Sequence, residues 1–407
     1  MNFLQIVSIP QAVELLLSVD GGPWSGSERV RTADSVGRTA AEAHFAAAAL
    51  PPYSRSTVDG FAVRSCDTFG ASEQAPTLLR LCGEVRMGCK TELAVGPGQA
   101  AAIPTGGMLP AGADAVVMAE YCEQAARDWV SVGRAAAPRE NAVLSGEDAA
   151  AGETLLARGA RIDARAAAVL AACGLAEAAV QTRPRVTLIS TGDELAEPGK
   201  PLMPGRIYDC NSTALEALCA EQDLQVCAVY RVGDSLTAFT EALRGAADSD
   251  MVLLSGGSSA GAKDYTVRAL EAVPGGEVLA HGLAAKPGKP TIVGRMGRVP
   301  VIGLPGHPAA AMMVFYELAA AYWRQRRQSA DTRRRLLVRL AEDVHASPGR
   351  QTLLLAELLA RENELWARPV YSKSSHIRTM QRADGYLRIA PEQEGLRRGQ
   401  LAELILF

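Results

Sequence analysis

Several features that would assign this sequence to a familiar class are missing from it. Its eight cysteines form no CxxC pair, and a chain of this size needs no disulfides to fold, so we predict reduced and mostly buried thiols. The N-terminus has no cationic segment followed by an apolar core and a small-residue cleavage site, which argues against a secretory signal. The longest apolar stretches, 164–180 and 308–323, contain glycine or glutamate and are short for a bilayer span. We therefore expect a soluble, cytoplasmic protein.

The sequence also lacks a strong charge of either sign. Its 42 Lys and Arg residues against 45 Asp and Glu residues give a formal net charge of -3, so no overall field recruits nucleic acid or an anionic membrane. The basic stretch 324–335 is more typical of an exposed helix end and hinge. No GxxxxGK(S/T) motif is present and no GxGxxG follows a strand pattern, so an ATPase or a Rossmann dehydrogenase lacks its main support. A small-molecule partner is the better expectation.

What is present is the pattern of a multidomain protein. A chain of 407 residues exceeds the size at which one hydrophobic core usually stops growing. Apolar spacing and a following glycine predict short helices over 10–19 and 164–173, the second capped by Asp163, and we expect the two helices to pack together. The Gly- and Pro-rich segment between them has β-like runs at 78–81, 115–118 and 129–132, which predict a mainly β inserted domain.

Beyond residue 185, apolar runs alternate with helical patterns. The runs at 186–189, 226–230, 251–254 and 299–302 predict strands of a parallel α/β sheet. Ser212 and Asp234 are candidate helix starts, and Pro308 can occupy the first turn of a long helix. After the hinge, runs at 336–340, 353–359, 386–389 and 401–406 predict a small C-terminal β domain.

These patterns divide the chain into four predicted domains. They are a helical linker domain of residues 1–49 and 145–180, a mainly β insert of residues 50–144, a parallel α/β domain of residues 181–328 and a C-terminal β domain of residues 329–407. The fold class is therefore multidomain α/β plus β.

The candidate chemistry lies after the predicted strands, because ligands of open parallel sheets bind outside the carboxyl ends of the strands. The glycine-rich run 255–261 can cradle phosphate with its backbone N–H groups. Glu194, Asp234 and Asp264 follow neighbouring strands and can hold a hard divalent cation such as Mg²⁺. Lys286 and Lys289 lie in a Lys-Pro-Gly-Lys-Pro segment and are point charges for phosphate or another oxyanion.

Each feature also has a purely structural explanation. Asp234 can serve only as a helix cap, the glycines can form plain turns, and the lysines can be solvated. His307 between two prolines is more often structural than catalytic. The convergence of three strand ends and the lysine segment on one sheet edge nevertheless favours a ligand site.

The motifs of the chain, taken in order, resemble those of the molybdopterin molybdenumtransferases of the MoeA and gephyrin-E type. The match covers nearly the whole chain. It consists of Pro51-Pro52-Tyr53, 58–64 (VDGFAVR), Pro104-Thr105-Gly106, 112–117 (GADAVV), Gly146-Glu147-Asp148, 190–195 (STGDEL), Ser255-Gly256-Gly257, Asp264-Tyr265, 286–290 (KPGKP) and Leu304-Pro305-Gly306. So many ordered motifs are highly specific.

The resemblance implies an elongated homodimer of four-domain subunits. Each cleft would lie between the α/β domain of one chain, of the molybdopterin-binding type, and the β insert of the other. The implied reaction inserts molybdate into adenylylated molybdopterin and releases AMP with the help of Mg²⁺. Implied protein partners are the molybdopterin adenylyltransferase and the enzymes that receive the cofactor.

The resemblance also implies roles for individual residues. Asp59, Glu194 and Asp264 would be catalytic, and Glu194, Asp234 and Asp264 would hold the metal. Ser374, Ser375 and Arg378 lie where the family has polar residues that contact the pterin. The implied substrate-binding residues are Thr105, Asp148, Ser255, Gly256, Gly257, Lys286, Lys289, Pro305, Pro308 and Ser375.

Departures from the family pattern leave alternatives open. The family often has Asn at the position of His307, basic residues in place of Val143-Leu144-Ser145, and a valine-containing loop in place of 258–263. A paralogue that handles tungstate or has reduced activity is therefore one alternative. The others are a non-catalytic molybdopterin-binding scaffold or carrier, against which the intact carboxylates argue, and a molybdopterin adenylyltransferase, against which the additional domains argue.

Overall fold

Three six-stranded sheets, joined by short strand pairs and helices, form the protein. The computed structural model describes residues 6–20, 22–256, 263–361, 364–371, 373 and 375–407, with the backbone alone at 263 and 264. One sheet belongs to the α/β domain, one to the insert and one to the C-terminal domain. The first of these sheets positions the site.

The α/β sheet contains the four predicted strands. They run parallel in the order Gln225–Val232, Arg185–Thr191, Met251–Gly256 and Val299–Leu304. Two strands that the sequence did not predict, Ile292–Met296 and Gly276–His281, extend the sheet in antiparallel pairing. The carboxyl ends of the four parallel strands therefore meet at one edge, as the predicted site requires.

Alternate residues of the central strands face opposite sides of this sheet and build two cores. One core contains Leu188 and Leu253 with the helices Ile9–Val19, Cys210–Glu221, Pro308–Val314 and Ala320–Arg327. The other contains Ile189 and Leu254 with the helices Leu236–Gly245 and Lys263–Glu271. The domain thus has three layers, because a strand buried on both faces needs helices on each side.

Two helices begin at other residues than predicted. The helix Cys210–Glu221 starts after Asp209, whose side chain accepts a hydrogen bond from the Ser212 N–H at 3.0 Å. Ser235, and not Asp234, caps Leu236–Gly245. The predicted starts at Ser212 and Asp234 are therefore wrong, because an N-cap is decided by which side chain reaches the N–H three residues on.

The long helix after Val299–Leu304 begins with Pro308, as predicted. It continues from Pro308–Val314 through a π-helical turn, Phe315–Ala319, into Ala320–Arg327. A π-helical turn adds one residue to the helical repeat and rotates the faces of the next helical segment. Its Glu317 is buried and accepts a hydrogen bond from Tyr386 of the C-terminal domain.

The two helices of the predicted linker domain lie in separate cores. Ile9–Val19 packs in the α/β core, whereas Ala164–Ala172, capped by Asp163 as predicted, packs in a small core of its own. The expectation that the two helices pack together is wrong. The linker also contains strands, in the antiparallel pairs Ser27–Arg31 with Glu177–Gln181 and His44–Phe45 with Thr154–Leu156. A further antiparallel pair, Arg55–Ser56 with Ala142–Val143, lies in the insert.

The insert is a six-stranded, mainly antiparallel sheet. All three β-like runs predicted from the sequence are strands in it. The strand order is Ala115–Met118, Gly60–Val63, Gln99–Ile103, Thr77–Glu84, Trp129–Val132 and Cys122–Ala126. The short 3-10 helices Thr32–Ser35, Ser65–Thr68 and Ala119–Tyr121 lie in the linker and the insert.

Five strands of the C-terminal domain close into a small barrel. Its order is Gln351–Arg361, Glu364–Pro369, Arg335–Leu340, Leu401–Leu406 and Gly385–Ile389, and the last strand pairs again with the first. The strand Ala285–Lys286 of the α/β domain adds to the barrel beside Gln351–Arg361. The remaining elements are the pairs Val344–His345 with Gly395–Leu396 and Leu195–Ala196 with Ile207–Tyr208, and the helix Arg378–Arg382.

Buried ion pairs join these parts. Asp223 is 4% exposed and pairs with Arg38 of the linker at 3.1 Å and with Arg327 at 2.9 Å. Glu317 of the π-helical turn accepts from Arg388 of the barrel at 2.7 Å. Pairs of this kind fix orientation, because breaking one leaves a charge buried without its partner.

All eight cysteines are free thiols, as predicted. Only Cys219 is buried, whereas Cys66, Cys89 and Cys227 are exposed. The expectation of mostly buried thiols is therefore wrong. Among the residues covered by the structure, no helix has the length and apolar character needed to cross a membrane.

Candidate active site

A cavity of about 460 Å³ lies at the carboxyl edge of the parallel strands. We call it the strand-end cavity. Thr191 and Ser255, at the ends of two strands, and Gly306, just after the end of a third strand, line it. Six of the residues predicted from the sequence line it, namely Glu194, Asp234, Ser255, Gly256, Pro308 and Ser375. The sheet edge therefore brings together carboxylates, a glycine turn and a side chain of the C-terminal domain.

The turn at Gly256 requires glycine. Its φ is +111°, a conformation that side chains disfavour, and a Cβ atom there would lie 2.2 Å from the carbonyl oxygen of Thr191. The backbones of two adjacent strand ends thus approach each other at this point. The predicted Gly257 lies outside the described residues, as do the loop 257–262 and Ser374.

Asn211 joins two sides of the strand-end cavity and was not predicted from the sequence. Its side-chain amide donates to Ser255 Oγ and to the carbonyl oxygen of Gly306, both at 2.8 Å. Its Oδ1 is buried and has no hydrogen-bond partner among the described residues. The spacing of Asp209 and Ser212 is the signal that could have placed Asn211 in the first turn of a helix.

The carboxylates at the cavity form an acidic group. Asp193 Oδ1 accepts a hydrogen bond from the Asp234 N–H at 3.1 Å. Partial burial raises the pKa of Asp234, and the charges of Asp193 and Glu194 raise it further. Because Ser235 is the helix cap, the Asp234 carboxylate is not used as one.

Only some of the residues predicted to hold a metal have side chains that the structure describes. The described part of the chain contains no set of three or more His, Cys, Asp and Glu side chains placed to hold a metal. Asp264 lies in the first turn of the helix Lys263–Glu271, and its side chain lies outside the described residues. Glu194 and Asp234 are the two predicted metal ligands that the structure brings to one cavity.

A second cavity, of about 590 Å³, lies between the lysine segment and the barrel. We call it the lysine cavity. Lys286, Lys289 and Pro305 line it, and His307 lines both this cavity and the strand-end cavity. The barrel side adds three basic side chains that were not predicted, His345, Arg350 and Lys373. The lysine cavity therefore carries positive charge next to the acidic strand-end cavity.

The lysine segment is held against the helix that starts at Pro308. Gly288 has a φ of +125°, and a Cβ atom there would lie 2.9 Å from Val314 Cγ2. Lys286 pairs in register with Thr352 of the barrel. Both Lys286 and Lys289 are exposed, so their ammonium groups can reach a ligand.

The predicted residues of the insert lie elsewhere. Asp59 Oδ1 accepts from the Thr105 N–H at 2.7 Å, and this hydrogen bond lowers the pKa of Asp59. Asp148 is exposed, and its N–H donates to the Leu50 carbonyl at 2.9 Å. Among the described residues, none of the insert lines the strand-end cavity or the lysine cavity.

Family models match nearly the whole chain. The MoeA N-terminal region (domain I and II) matches residues 7–174, a probable molybdopterin binding domain matches residues 187–325, and the MoeA C-terminal region (domain IV) matches residues 338–407. Molybdopterin molybdenumtransferase 2 of Mycobacterium tuberculosis is 39% identical over 274 residues, which are 65% of this chain and 67% of that protein. The chain belongs to the molybdopterin molybdenumtransferase family.

Other relatives agree with this assignment. The molybdopterin molybdenumtransferase of Bacillus subtilis is 34% identical over 71% of this chain and 68% of its own length. The crystal structure of the MoeA protein of Pyrococcus horikoshii has 32% identity and a TM-score of 0.80, and the match covers 99% of each chain. The resemblance seen in the motifs is thereby confirmed, as are the multidomain fold class and the prediction of an enzyme of molybdenum-cofactor biosynthesis.

Proposed function

We propose that this chain inserts molybdate into adenylylated molybdopterin and releases AMP. The observation that carries the proposal is the pairing of an acidic cavity with a basic one across His307. A ligand with a pyrophosphate and a molybdate oxyanion needs cationic side chains close to its oxygens. Lys286 and Lys289 supply ammonium groups of this kind.

The strand-end cavity fits the pyrophosphate part of that ligand. Ser255 and Gly256 end a parallel strand at the edge where open sheets bind their ligands. Asn211 holds Ser255 and the Gly306 turn in fixed relation, which would keep the bound phosphates in one orientation. Ser375 lines the same cavity from the C-terminal domain and would contact the ligand from the opposite side.

Mg²⁺ is the cation that we assign to the acidic group. Mg²⁺ commonly binds through one or two carboxylates together with substrate phosphates and waters, and Glu194 and Asp234 supply two carboxylates at one cavity. Partial burial raises the pKa of Asp234, and the like charges of Asp193 and Glu194, which a cation would relieve, raise it further. Once bound, the ion would neutralise negative charge on the pyrophosphate oxygens during cleavage. Asp264 is proposed as a further ligand.

We also propose that the cleft is completed by a second copy of the chain, in a homodimer. Asp59, Thr105 and Asp148 of the second copy would face the two cavities, since the described residues of one chain do not bring the insert there. Asp59 would act in its ionised form, which its hydrogen bond to Thr105 favours. We place the reaction in the cytoplasm, with the molybdopterin adenylyltransferase and the cofactor-receiving enzymes as protein partners.

Turnover by the purified protein tests this function. Adenylylated molybdopterin, Mg²⁺ and molybdate are supplied, and AMP and active molybdenum cofactor are quantified together. We expect both products in equal amounts, and we expect neither without molybdate. Glu194→Gln, which removes one carboxylate of the strand-end cavity, is expected to reduce turnover far more than substrate binding. Glu216→Gln, an exposed residue of the helix Cys210–Glu221, is the matched control.

Other outcomes contradict the proposal in different ways. Tight binding of the adenylylated substrate with no AMP release would indicate a scaffold or carrier. ATP-dependent adenylylation of free molybdopterin would indicate the adenylyltransferase. Competition between molybdate and tungstate in the same assay decides which oxyanion the enzyme prefers.

A further inference from the structure

A small cavity lies where the linker, the α/β domain and the hinge to the barrel meet. We call it the junction cavity. Arginines 161, 324, 327 and 333 line it together with Asp331 and Trp323. Four cationic side chains thus surround a space that one carboxylate shares with them. It is separate from the two cavities of the candidate active site, which have other lining residues.

Two of the arginines are already neutralised by carboxylates. Arg327 pairs with Asp223 at 2.9 Å, and Arg333 pairs with Asp331 at 2.7 Å. The oxygens of Asp331 also accept from Arg333 Nε at 2.9 Å and from Arg335 Nη2 at 3.0 Å. The only carboxylate at the cavity, among the described residues, is therefore occupied by other cations.

Arg324 is one of the two arginines that remain, together with Arg161. In the part of the chain that the structure describes, its guanidinium forms no hydrogen bond or ion pair. Its side chain is half-buried. Burial and the charge of Arg333 lower its pKa, whereas the charges of Asp331 and Glu317 act in the opposite direction. A guanidinium stays protonated all the same, so Arg324 keeps a charge and N–H donors that form no direct contact with a carboxylate among the described residues.

Two more donors lie beside Arg324. Arg161 donates one hydrogen bond, from Nη1 to the Glu221 carbonyl at 3.1 Å. The indole N–H of Trp323 is buried and has no acceptor among the described residues, and Trp323 is 2% exposed. Nearly all buried N–H groups in native proteins have an acceptor. The residues around the cavity therefore supply positive charge and N–H donors beyond those that carboxylates already bind.

We propose that the junction cavity binds one small inorganic oxyanion of the phosphate or sulfate class, with Arg324 as its principal ligand and Arg161 as the second. The cavity volume is about 60 Å³. At about 10–15 Å³ for each water-sized sphere, it holds roughly four to six oxygen-sized atoms. That is room for the four oxygens of a tetrahedral oxyanion, whereas a nucleotide is too large. The bound anion ties the linker to the hinge that carries the barrel.

Equilibrium dialysis with radiolabelled inorganic phosphate, at ionic strength held constant with NaCl, tests the site. Arg324→Met removes the charge and keeps the apolar stem, and Arg324→Gln is a second variant with a polar end. Arg298→Met is the matched control, because Arg298 is an exposed arginine in a turn far along the chain from the cavity. The double variant Lys286→Ala/Lys289→Ala removes the anion contacts proposed for the active site.

We expect one phosphate per chain that persists in the lysine double variant and in Arg298→Met, and that binds at least about ten-fold more weakly in both Arg324 variants. Phosphate at ten times its Kd should raise the Tm of the lysine double variant by about 2 °C and leave that of the same variant carrying Arg324→Met unchanged. Unchanged affinity in the Arg324 variants, loss of all phosphate binding in the lysine double variant, or an equal Tm rise with chloride would each overturn the proposal.

Discussion

Asn211 holds two segments of the strand-end cavity at once, through Ser255 and Gly306. Gly306 lies in the turn between the strand Val299–Leu304 and the helix that starts at Pro308. The placement of this turn against the strand end at Ser255 therefore depends on side-chain hydrogen bonds, and we regard Asn211 as a positioning residue. Since its amide adds nothing to a hydrophobic core, changing it should affect activity before stability.

Replacing Asn211 by Asp tests this role. The substitution keeps the size of the side chain but removes both N–H donors and places negative charge against the Gly306 carbonyl. We expect kcat/KM to fall by about ten-fold or more, from the loss of two hydrogen bonds worth about 1 kcal/mol each. The same loss should lower Tm by only about 2 °C in a chain of this size, and Thr213→Ala, an exposed residue of the same helix, should leave both quantities unchanged. Parent-like kcat/KM for Asn211→Asp would show that the bridge does not position the two segments.

The lysines of the 286–290 segment should act on the oxyanion. Lys286→Ala and Lys289→Ala are each expected to raise the KM for molybdate by about ten-fold, since each removes a charge-assisted contact. Saturating molybdate should restore part of the lost rate in at least one variant. Lys200→Ala is the control, because Lys200 is an exposed lysine that pairs with Glu197. If both variants match the parent at low molybdate, the segment is structural.

Among the elements, the π-helical turn Phe315–Ala319 joins the α/β domain to the barrel. Its Glu317 is 5% exposed and accepts hydrogen bonds from Arg333, Arg388 and Tyr386. These contacts hold the barrel next to the α/β sheet. Ser375 of the C-terminal domain then lines the strand-end cavity, and barrel residues line the lysine cavity. Burial and the nearby Glu317 carboxylate raise the pKa of Tyr386, so its hydroxyl remains a donor.

Glu317→Gln should therefore destabilise the protein. The change leaves the charge of Arg388 without its buried partner and Arg333 with Asp331 alone, and we expect a loss of about 3 kcal/mol in the free energy of unfolding. Urea denaturation followed by circular dichroism measures it. Glu403→Gln removes a surface pair with Arg335 in which Glu403 is 52% exposed, so a loss below about 1 kcal/mol is expected there. Equal losses in the two variants would argue against a buried network.

The elements show which features a sequence pattern can predict. The strands at 186–189 and 251–254 have continuous apolar runs because helices cover both faces of the sheet. Such a run is easily recognised as a strand in the sequence. Gly276–His281 and Ile292–Met296 lie beyond the parallel core and contain Gly276, Glu277 and Arg295, which weakens their pattern. Local periodicity also does not indicate which surface a helix packs against. For that reason the sequence wrongly predicts that Ile9–Val19 packs on the helix Ala164–Ala172.

The residues of the candidate site likewise include some that the sequence could predict and one, Asn211, that it could not. The sequence could predict that Glu194, Asp234 and Ser255 lie close together. The carboxyl ends of parallel strands share one edge of the sheet, and each of these residues lies at or just after such an end. Asn211 could not be predicted in this way, since its partners are a hydroxyl and a carbonyl on distant segments of the chain. The roles of the predicted residues remain predictions, because position at a cavity does not by itself establish what a side chain does.

For the molecule as a whole, we propose that the reaction uses two copies of the chain. Asp59 and Thr105 are hydrogen-bonded to each other in the insert, whereas Glu194 and Asp234 line the strand-end cavity. A two-fold symmetric dimer would let each insert complete the cleft of the other chain, so that two equivalent clefts form. Each reaction site would then be built from both chains.

Mixed dimers of two inactive variants test this shared cleft most directly. Asp59→Asn and Glu194→Gln are co-expressed with different tags, and dimers that carry both tags are purified and assayed for AMP release. Each homodimeric variant is expected to be nearly inactive. If each cleft takes Asp59 from one chain and Glu194 from the other, a mixed dimer has one intact cleft and one doubly altered cleft, and its activity should be about half that of the parent dimer. Mixed dimers as inactive as the two homodimeric variants would contradict the shared cleft.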